Sequence, residues 1–105
     1  MYSKAKICTI IVFTCLVGIL AYQCGGALYA PTALDAERVQ VNLDTLLLGR
    51  QLYIRNCGGC HHLYLPEKYT QTQWKEIVAR MQKPAKINDN QAKIIYQYLS
   101  AGAKP

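Results

Sequence analysis

Apolar residues recur at helical spacing in three stretches of the chain that follow residue 42. Each stretch starts beside a residue able to cap a helix and stops at glycine or proline, as helices commonly do. The predicted helices run from Asn42 into the Cys57-Gly58-Gly59 turn, from Thr70 to Pro84, and from Asn88 to Gly102. No stretch alternates between apolar and polar residues as a half-buried strand would. The pattern therefore predicts an all-α domain.

The second and third predicted helices carry the sequence signature of a capping box. In this motif the side chain of the first residue and that of the residue three positions later bind each other's backbone N–H groups. The two pairs are Thr70 with Gln73 and Asn88 with Gln91. Both helix starts are therefore predicted from local sequence alone.

A different pattern occupies the start of the chain. Lys4 and Lys6 precede an uncharged, mostly apolar run from Ile7 to Tyr22, which is the layout of a secretory signal. Such a run is marginal as a permanent transmembrane helix, because it is shorter than the roughly 20 residues needed to cross the hydrocarbon core. The sequence predicts an exported protein.

Cys24 follows this run and is itself followed by two glycines, which resembles a bacterial lipoprotein signal with an acylated cysteine. Cleavage after Ala27 and an uncleaved anchor are the alternatives. We therefore predict a signal, a lipoprotein signal or a membrane anchor over residues 1–24 and a flexible tether over 25–42. The expected location is the periplasm or the outer face of a bacterial membrane, with tethering through Cys24 or the uncleaved N-terminal segment.

The size and charge of the chain limit the kinds of function that the protein can have. The 105 residues leave no room for a multidomain enzyme, so residues 43–105 are predicted to form one small domain. The formal net charge is +6 at pH 7, which favours acidic proteins or anionic lipids without choosing between them. We do not predict binding to nucleic acid.

Three short helices bury too little apolar surface to be stable without a cofactor, a metal or a disulfide that adds to the core. The motif Cys57-Gly58-Gly59-Cys60-His61 indicates such a cofactor, because C-x-x-C-H in an exported protein is typical of covalent c-type haem attachment. Two thiols at this spacing can bond the two vinyl groups of the porphyrin, and His61 then lies under the iron. The two glycines are expected to let the backbone approach the ring. Haem would also supply a large apolar body for the core.

Three other interpretations of the motif are weaker. A thioredoxin-like redox pair needs a βαβ surround, which the pattern lacks. A zinc site needs a second pair of ligands, for which only His62 remains. A plain structural disulfide between Cys57 and Cys60 is the simplest alternative.

Beyond the motif, the stretch from Leu43 to Leu99 resembles the small single-haem cytochromes c. The shared residues are Gly49, Tyr53 and Cys57 on the first helix and Ile95, Tyr98 and Leu99 on the last. The resemblance implies a minimal cytochrome c-like fold of three short helices around one covalently attached haem c. It also implies that the first and last helices cross at Gly49, with aromatic residues packed across the seam.

The resemblance further implies axial ligands for the haem iron, with His61 proximal and a methionine distal. Met81 is the one methionine that follows the signal region, and it lies on the apolar face of the second predicted helix. Its alternative role is ordinary core packing. His62 is the rival ligand, but as the neighbour of His61 it cannot reach the opposite face of the same ring.

Three other residues are expected to contact the cofactor by resemblance. Tyr53 packs where the helices cross, and the Pro66 carbonyl accepts the proton of the proximal histidine. Trp74 either donates its indole N–H to a haem propionate or only packs.

The resulting function is one-electron transfer in a membrane-associated chain rather than enzymatic catalysis. The alternatives are a haem sensor or peroxidase-like enzyme with an open iron position, using His62 or Arg80, and a fixed haem subunit of a larger membrane complex. Redox donors and acceptors are expected to dock through an acidic patch. The basic residues available to meet that patch are Lys68, Lys75, Arg80, Lys83, Lys86 and Lys93.

Overall fold

The computed structural model describes residues 3–21 and 27–105, with side chains for 3–14 and 27–105. The helices are α1 (Lys4–Ala21), α2 (Ala33–Arg38), α3 (Leu43–Cys57), α4 (Gln71–Met81) and α5 (Asp89–Ala101), with a 3₁₀ turn at Pro66–Lys68. The described residues contain no strand, and their one β-type pairing is an isolated bridge between Thr70 and Lys104. The all-α class is confirmed: the described residues contain five α-helices, of which three lie within residues 43–105.

Helix starts follow the local signals that the sequence contains. The capping boxes of Thr70 with Gln73 and of Asn88 with Gln91 are both formed, so these two predicted starts are confirmed. The side chain of Asn42 caps α3 by accepting a hydrogen bond from the backbone N–H of Asp44. Side-chain oxygens in these positions bind N–H groups that the first helical turn leaves without partners.

The α4 helix ends at Met81, three residues before the proline that was expected to stop it. Turns occupy residues 82–86, and the backbone N–H of Ile87 reaches back to the carbonyl of Gln82. Lys86 has a φ of 54°, the left-handed conformation that reverses a chain after a helix. This turn sets the direction in which α5 begins.

The core forms where α3 crosses α5. A Cβ atom added to Gly49 would lie 2.5 Å from the carbonyl oxygen of Ile94 and 2.7 Å from the Cβ of Tyr98, so only glycine allows this approach. The Tyr53 and Tyr98 rings pack across the crossing with centroids 6.0 Å apart. Both the close helix contact at Gly49 and the aromatic seam are confirmed.

The α4 helix covers one side of this crossing with two buried residues, Trp74 and Val78. Trp74 is only 1% exposed, and its ring meets the Tyr53 ring edge-on with centroids 6.3 Å apart. The apolar side chains of Ile95 and Leu99 on α5 join the same buried cluster. The three longest helices of the domain therefore share one core.

Residues 27–42 pack against the domain, and the expectation of a tether without regular structure is wrong for them. Helix α2 begins with a capping box between Thr32 and Asp35. Ala36 on this helix is buried in a second small cluster with Leu46 and Ala101. The signal was present as a Thr-x-x-Asp pattern, but six helical residues are too few for an apolar period to show.

Hydrogen bonds join this segment to the two crossing helices. The Arg38 side chain donates to the carbonyl of Ala101 at 2.6 Å, and the Arg50 side chain donates to the carbonyl of Tyr29 at 3.1 Å. The Tyr98 hydroxyl donates to the same Tyr29 carbonyl at 2.8 Å, and the two tyrosine rings stack at 5.7 Å. These bonds link residues far apart in sequence, which no local pattern reveals.

Helix α1 (Lys4–Ala21) includes residues 7–21 of the apolar run expected to act as a signal or anchor. Among the residues searched, which are the described ones, no helix is long and apolar enough to cross a membrane. Cys24, the predicted site of acylation, lies outside the described residues.

Candidate functional site

Most of the predicted site residues line a single cavity. It lies between the end of α3, the α4 helix and α5, and side chains from all three line it. The lining residues are Tyr53, Asn56, Cys57, Cys60, His61, Tyr64, Tyr69, Trp74, Ile77, Val78, Arg80, Met81, Pro84, Ala85, Ile87, Ile95 and Leu99. Of the predicted site residues, Pro66 is the one that does not line this cavity.

The two cysteines lie at the end of α3, where the helix opens into the cavity. Cys57 is half-buried and Cys60 is exposed, and both are free thiols. Burial, and secondarily the neighbouring Cys60, raises the pKa of the Cys57 thiol. The structure therefore presents two unpaired sulfur atoms at the cavity wall, one on either side of the Gly58-Gly59 pair.

The glycines between the cysteines differ in their surroundings. A Cβ at Gly58 would lie 2.9 Å from the carbonyl oxygen of Ile54, so this glycine is needed by the end of its own helix. A Cβ at Gly59 would meet no atom within 4 Å. The chain itself therefore requires a glycine at the first position and leaves open space at the second.

His61 follows the second cysteine and is exposed at the cavity edge. Its Nδ1 lies 2.7 Å from the carbonyl oxygen of His62, a distance at which Nδ1–H donates and Nε2 is left free as a ligand. The expected acceptor was the carbonyl of Pro66, so the structure assigns a different partner. His62 is exposed and does not line the cavity, so the structure does not bring the rival ligand to the site.

The Pro66 carbonyl is instead the acceptor for Trp74. The indole Nε1–H donates to it at 2.7 Å in a fully buried hydrogen bond. This bond joins two groups for which the resemblance implied other partners: the proximal histidine for the proline carbonyl, and a haem propionate for the indole N–H. Of the two roles considered for Trp74, the structure favours packing, because a buried donor that already has a partner gains little from another.

Tyr53 reaches the cavity from α3 and anchors the loop that follows the cysteine motif. Its hydroxyl donates to the carbonyl of Tyr64 at 2.9 Å. Burial raises the pKa of Tyr53 well above its ordinary value, so the hydroxyl stays protonated and remains a donor. The tyrosine thus positions the 58–65 loop against the cavity.

Met81 occupies the last position of α4 and is half-buried at the cavity wall. Ile77 and Val78 lie one turn earlier on the same helix and line the same cavity. The site therefore contains two thiols, an imidazole and a thioether within a largely apolar wall. Sulfur and imidazole donors in an apolar pocket are the set that a c-type haem requires.

Sequence reasoning missed several lining residues. Tyr64 and Tyr69 flank the loop after the motif, and the Tyr69 ring stands edge-on to Trp74 with centroids 5.0 Å apart. Arg80 was expected either among the surface charges or, in the sensor or enzyme alternative, beside an open iron position, and the structure places it on the cavity wall beside Met81. The position of the two tyrosines shortly after the motif was the available signal for them, whereas nothing local distinguishes Arg80 from other surface cations.

The zinc alternative gains no support from the geometry. No group of three or more His, Cys, Asp or Glu side chains that could hold a metal ion occurs in the part of the chain that the structure describes.

Comparison with known proteins identifies the family. Residues 53–105 match the family described as dihaem cytochrome c, a match that starts at Tyr53 and includes the cysteine motif. No curated protein and no solved structure matches the chain. The matched residues make up half of the 105-residue chain. The chain therefore belongs to the dihaem cytochrome c family and is a c-type cytochrome.

Proposed function

We propose that this protein is a one-electron carrier with a single haem c. Cys57 and Cys60 bind the haem covalently, and His61 and Met81 are its axial ligands. The observation that carries the proposal is the cavity, whose wall holds both thiols, the imidazole and the thioether. The resemblance of the first and last helices to the small cytochromes c supports the same function.

Each of these side chains has a distinct task. The haem, when bound, supplies an iron that exchanges one electron between its ferric and ferrous states. The thioether of Met81 favours the ferrous state, because a soft neutral sulfur donor stabilises the lower charge. The hydrogen bond from His61 Nδ1 to the His62 carbonyl fixes the ring orientation and leaves Nε2 free as a ligand. Apolar residues such as Ile77 and Leu99 exclude water and so lower the reorganisation that accompanies electron transfer.

The proposed number of haems is one for this chain. The matched family is named for two haems, whereas the 105-residue sequence contains a single C-x-x-C-H motif, at Cys57 to His61. Intact-mass spectrometry of the protein, produced with a haem-attachment system, tests this number. We expect the mass of one added haem, and its loss in a Cys57→Ala, Cys60→Ala double variant. The mass of two added haems would contradict the proposal.

Optical spectroscopy tests the axial ligands. The oxidised protein should show the far-red sulfur-to-iron band of methionine ligation, and the reduced protein should not bind carbon monoxide. Met81→Ala should remove the band and allow carbon monoxide to bind. Met81→His should also remove the band while keeping a six-coordinate iron, which separates a ligand change from misfolding. Lys83→Ala, two residues further on and exposed, is the matched control and should keep the native spectrum.

The same experiment tests the alternative functions. A native reduced protein that binds carbon monoxide at once, without the far-red band, would indicate an open iron position. That result would favour a haem sensor or a peroxidase-like enzyme over an electron carrier. In that case Arg80, which lines the cavity, is the candidate polar group for a bound oxygen or peroxide ligand.

The proposed partners are redox proteins with acidic docking patches. All six basic residues expected to face such a patch are exposed. The Lys68 ammonium lies 4.0 Å from the centroid of the Tyr64 ring, which places one of these charges close to the cysteine loop. Attraction between exposed charges is screened by salt, so electron exchange with an acidic partner should slow as ionic strength rises. A rate that is independent of salt would contradict docking by charge.

Export and membrane attachment complete the proposal. The protein functions in the periplasm or on the outer face of a bacterial membrane, held by an acylated Cys24 or by its uncleaved N-terminal segment. Mass spectrometry of the mature N-terminus distinguishes the two. Washing membranes with detergent then separates a mobile carrier, which is released alone, from a fixed subunit, which co-purifies with a larger complex.

A further inference from the structure

Arg80 is a permanently charged residue placed on the wall of an apolar cavity. It precedes Met81 on α4, its side chain is largely exposed, and it lines the same space as the proposed haem ligands. Within the described ranges 3–14 and 27–105, no hydrogen bond or salt bridge holds its guanidinium. Arg38 and Arg50, in contrast, both donate to backbone carbonyl oxygens. Arg80 therefore has five N–H donors and no acceptor from the surrounding protein.

Three other polar side chains of the cavity wall already donate to backbone carbonyls, and the hydroxyls of Tyr64 and Tyr69, which also line it, carry no charge. The indole of Trp74 donates to the carbonyl of Pro66, and the hydroxyl of Tyr53 donates to the carbonyl of Tyr64. The side-chain amide of Asn56 donates to the carbonyl of Leu52. Among the residues that line the cavity, Arg80 is the one with a permanent positive charge, which makes it the cationic donor for an anion.

The cofactor proposed for this cavity carries two such anions, its propionate carboxylates. A guanidinium matches a carboxylate with two parallel N–H···O bonds and remains charged at any ordinary pH. We infer that Arg80 binds a haem propionate and positions the haem edge against α4. The inference rests on the proposed function, and it replaces the role first considered for Trp74.

The inference has a measurable electrostatic consequence. A guanidinium on the propionate offsets a negative charge near the iron, and an uncompensated negative charge stabilises the ferric state. Loss of the Arg80 charge should therefore lower the reduction potential. At the native midpoint potential, the ferric-to-ferrous ratio should rise about threefold to tenfold. For a one-electron couple this corresponds to a fall of about 30 to 60 mV.

Potentiometric titration of the haem-loaded protein provides the test. We expect a lower midpoint in Arg80→Gln and a largely restored one in Arg80→Lys, which keeps the charge but not the two parallel bonds. Arg55→Gln is the matched control, because Arg55 is also exposed and does not line the cavity. Its midpoint should stay at the native value. Infrared difference spectra of the oxidised and reduced forms should show a shifted propionate carboxylate band in Arg80→Gln alone.

The outcomes separate the inference from the function on which it rests. If native protein carries a covalent haem ligated by Met81, but Arg80→Gln and Arg55→Gln have the same midpoint and carboxylate band, the Arg80 inference is wrong and the carrier function stands. If native protein attaches no haem, both fail. A midpoint that falls in Arg80→Gln and returns in Arg80→Lys supports both.

Discussion

Replacing Gly49 with alanine tests whether the helix crossing requires a glycine. The added Cβ would lie 2.5 Å from the Ile94 carbonyl oxygen and 2.7 Å from the Tyr98 Cβ. Both distances are shorter than real contacts of a Cβ atom, and the nearest atom belongs to the backbone of α5, which cannot rotate away. The helices must separate, and the Tyr53 and Tyr98 rings that pack across the crossing must then move.

Two opposing effects decide how much Gly49→Ala changes the free energy of unfolding. Alanine is favoured over glycine within a helix by about 1 kcal/mol. Overpacking a closely packed interior typically costs about 1–3 kcal/mol, and two short contacts place Gly49→Ala at the upper end of that range. We expect a net loss of about 2 kcal/mol in the free energy of unfolding. In a domain of this size that loss lowers the melting temperature by about 10 °C.

Urea unfolding of the haem-loaded protein, followed by far-UV circular dichroism, measures the effect. The control is the pair Gln51→Gly and Gln51→Ala, because Gln51 is an exposed residue of α3. At position 51 the alanine variant should be the more stable of the two by about 1 kcal/mol. At position 49 the order should reverse. If Gly49→Ala equals or exceeds the native protein in stability, the interpretation of the crossing is refuted.

Three further predictions concern buried hydrogen bonds and packing. Trp74→Phe should lower the free energy of unfolding by about 1–3 kcal/mol, because the carbonyl of Pro66 loses its buried indole donor. The haem midpoint potential should not change. A large change in that potential would show that the indole N–H binds the cofactor. Burial raises the pKa of Tyr98 to about 12, above its ordinary value near 10, so the folded state keeps a proton that the unfolded state loses. Stability should therefore fall between about pH 10 and pH 12, and Tyr98→Phe should show a shallower fall in the same pH series. Tyr29→Ala should lower the free energy of unfolding, measured in urea, by about 2 kcal/mol, because the stack of Tyr29 on Tyr98 is lost. If residues 27–42 were an unpacked tether, the same substitution would leave the free energy of unfolding unchanged.

Local signals predicted the helices of the domain well. Caps such as Thr70 and Asn88 act within one helical turn, so sequence and structure agree on where α4 and α5 begin. Helix α2 was missed for the opposite reason. Its six residues are stabilised by contacts with Leu46 and Ala101, which are close only after folding. A short helix that depends on such contacts leaves almost no periodic pattern.

The cofactor site was predicted in part. The C-x-x-C-H motif could be identified, and Met81 could be proposed as a ligand that the structure places on the cavity wall, because covalent attachment and iron ligation demand particular residue types. The hydrogen bonds around them could not, because a donor can select among many backbone carbonyls. Thus Trp74 pairs with Pro66, and His61 pairs with its own neighbour, His62. Helix ends and the haem-attachment motif depend only on residues that are close in sequence, so the sequence alone is enough to predict them.

The sequence by itself determined the helical class, the helix starts of α4 and α5, and the C-x-x-C-H motif of a c-type cytochrome. Only the tertiary structure decided that residues 27–42 belong to the packed domain and that Arg80 lines the cavity. It also decided which carbonyl each buried donor binds. The physical reason is range: capping and motif chemistry act over a few residues, whereas packing and buried hydrogen bonds join residues such as Tyr29 and Tyr98 that are distant along the chain.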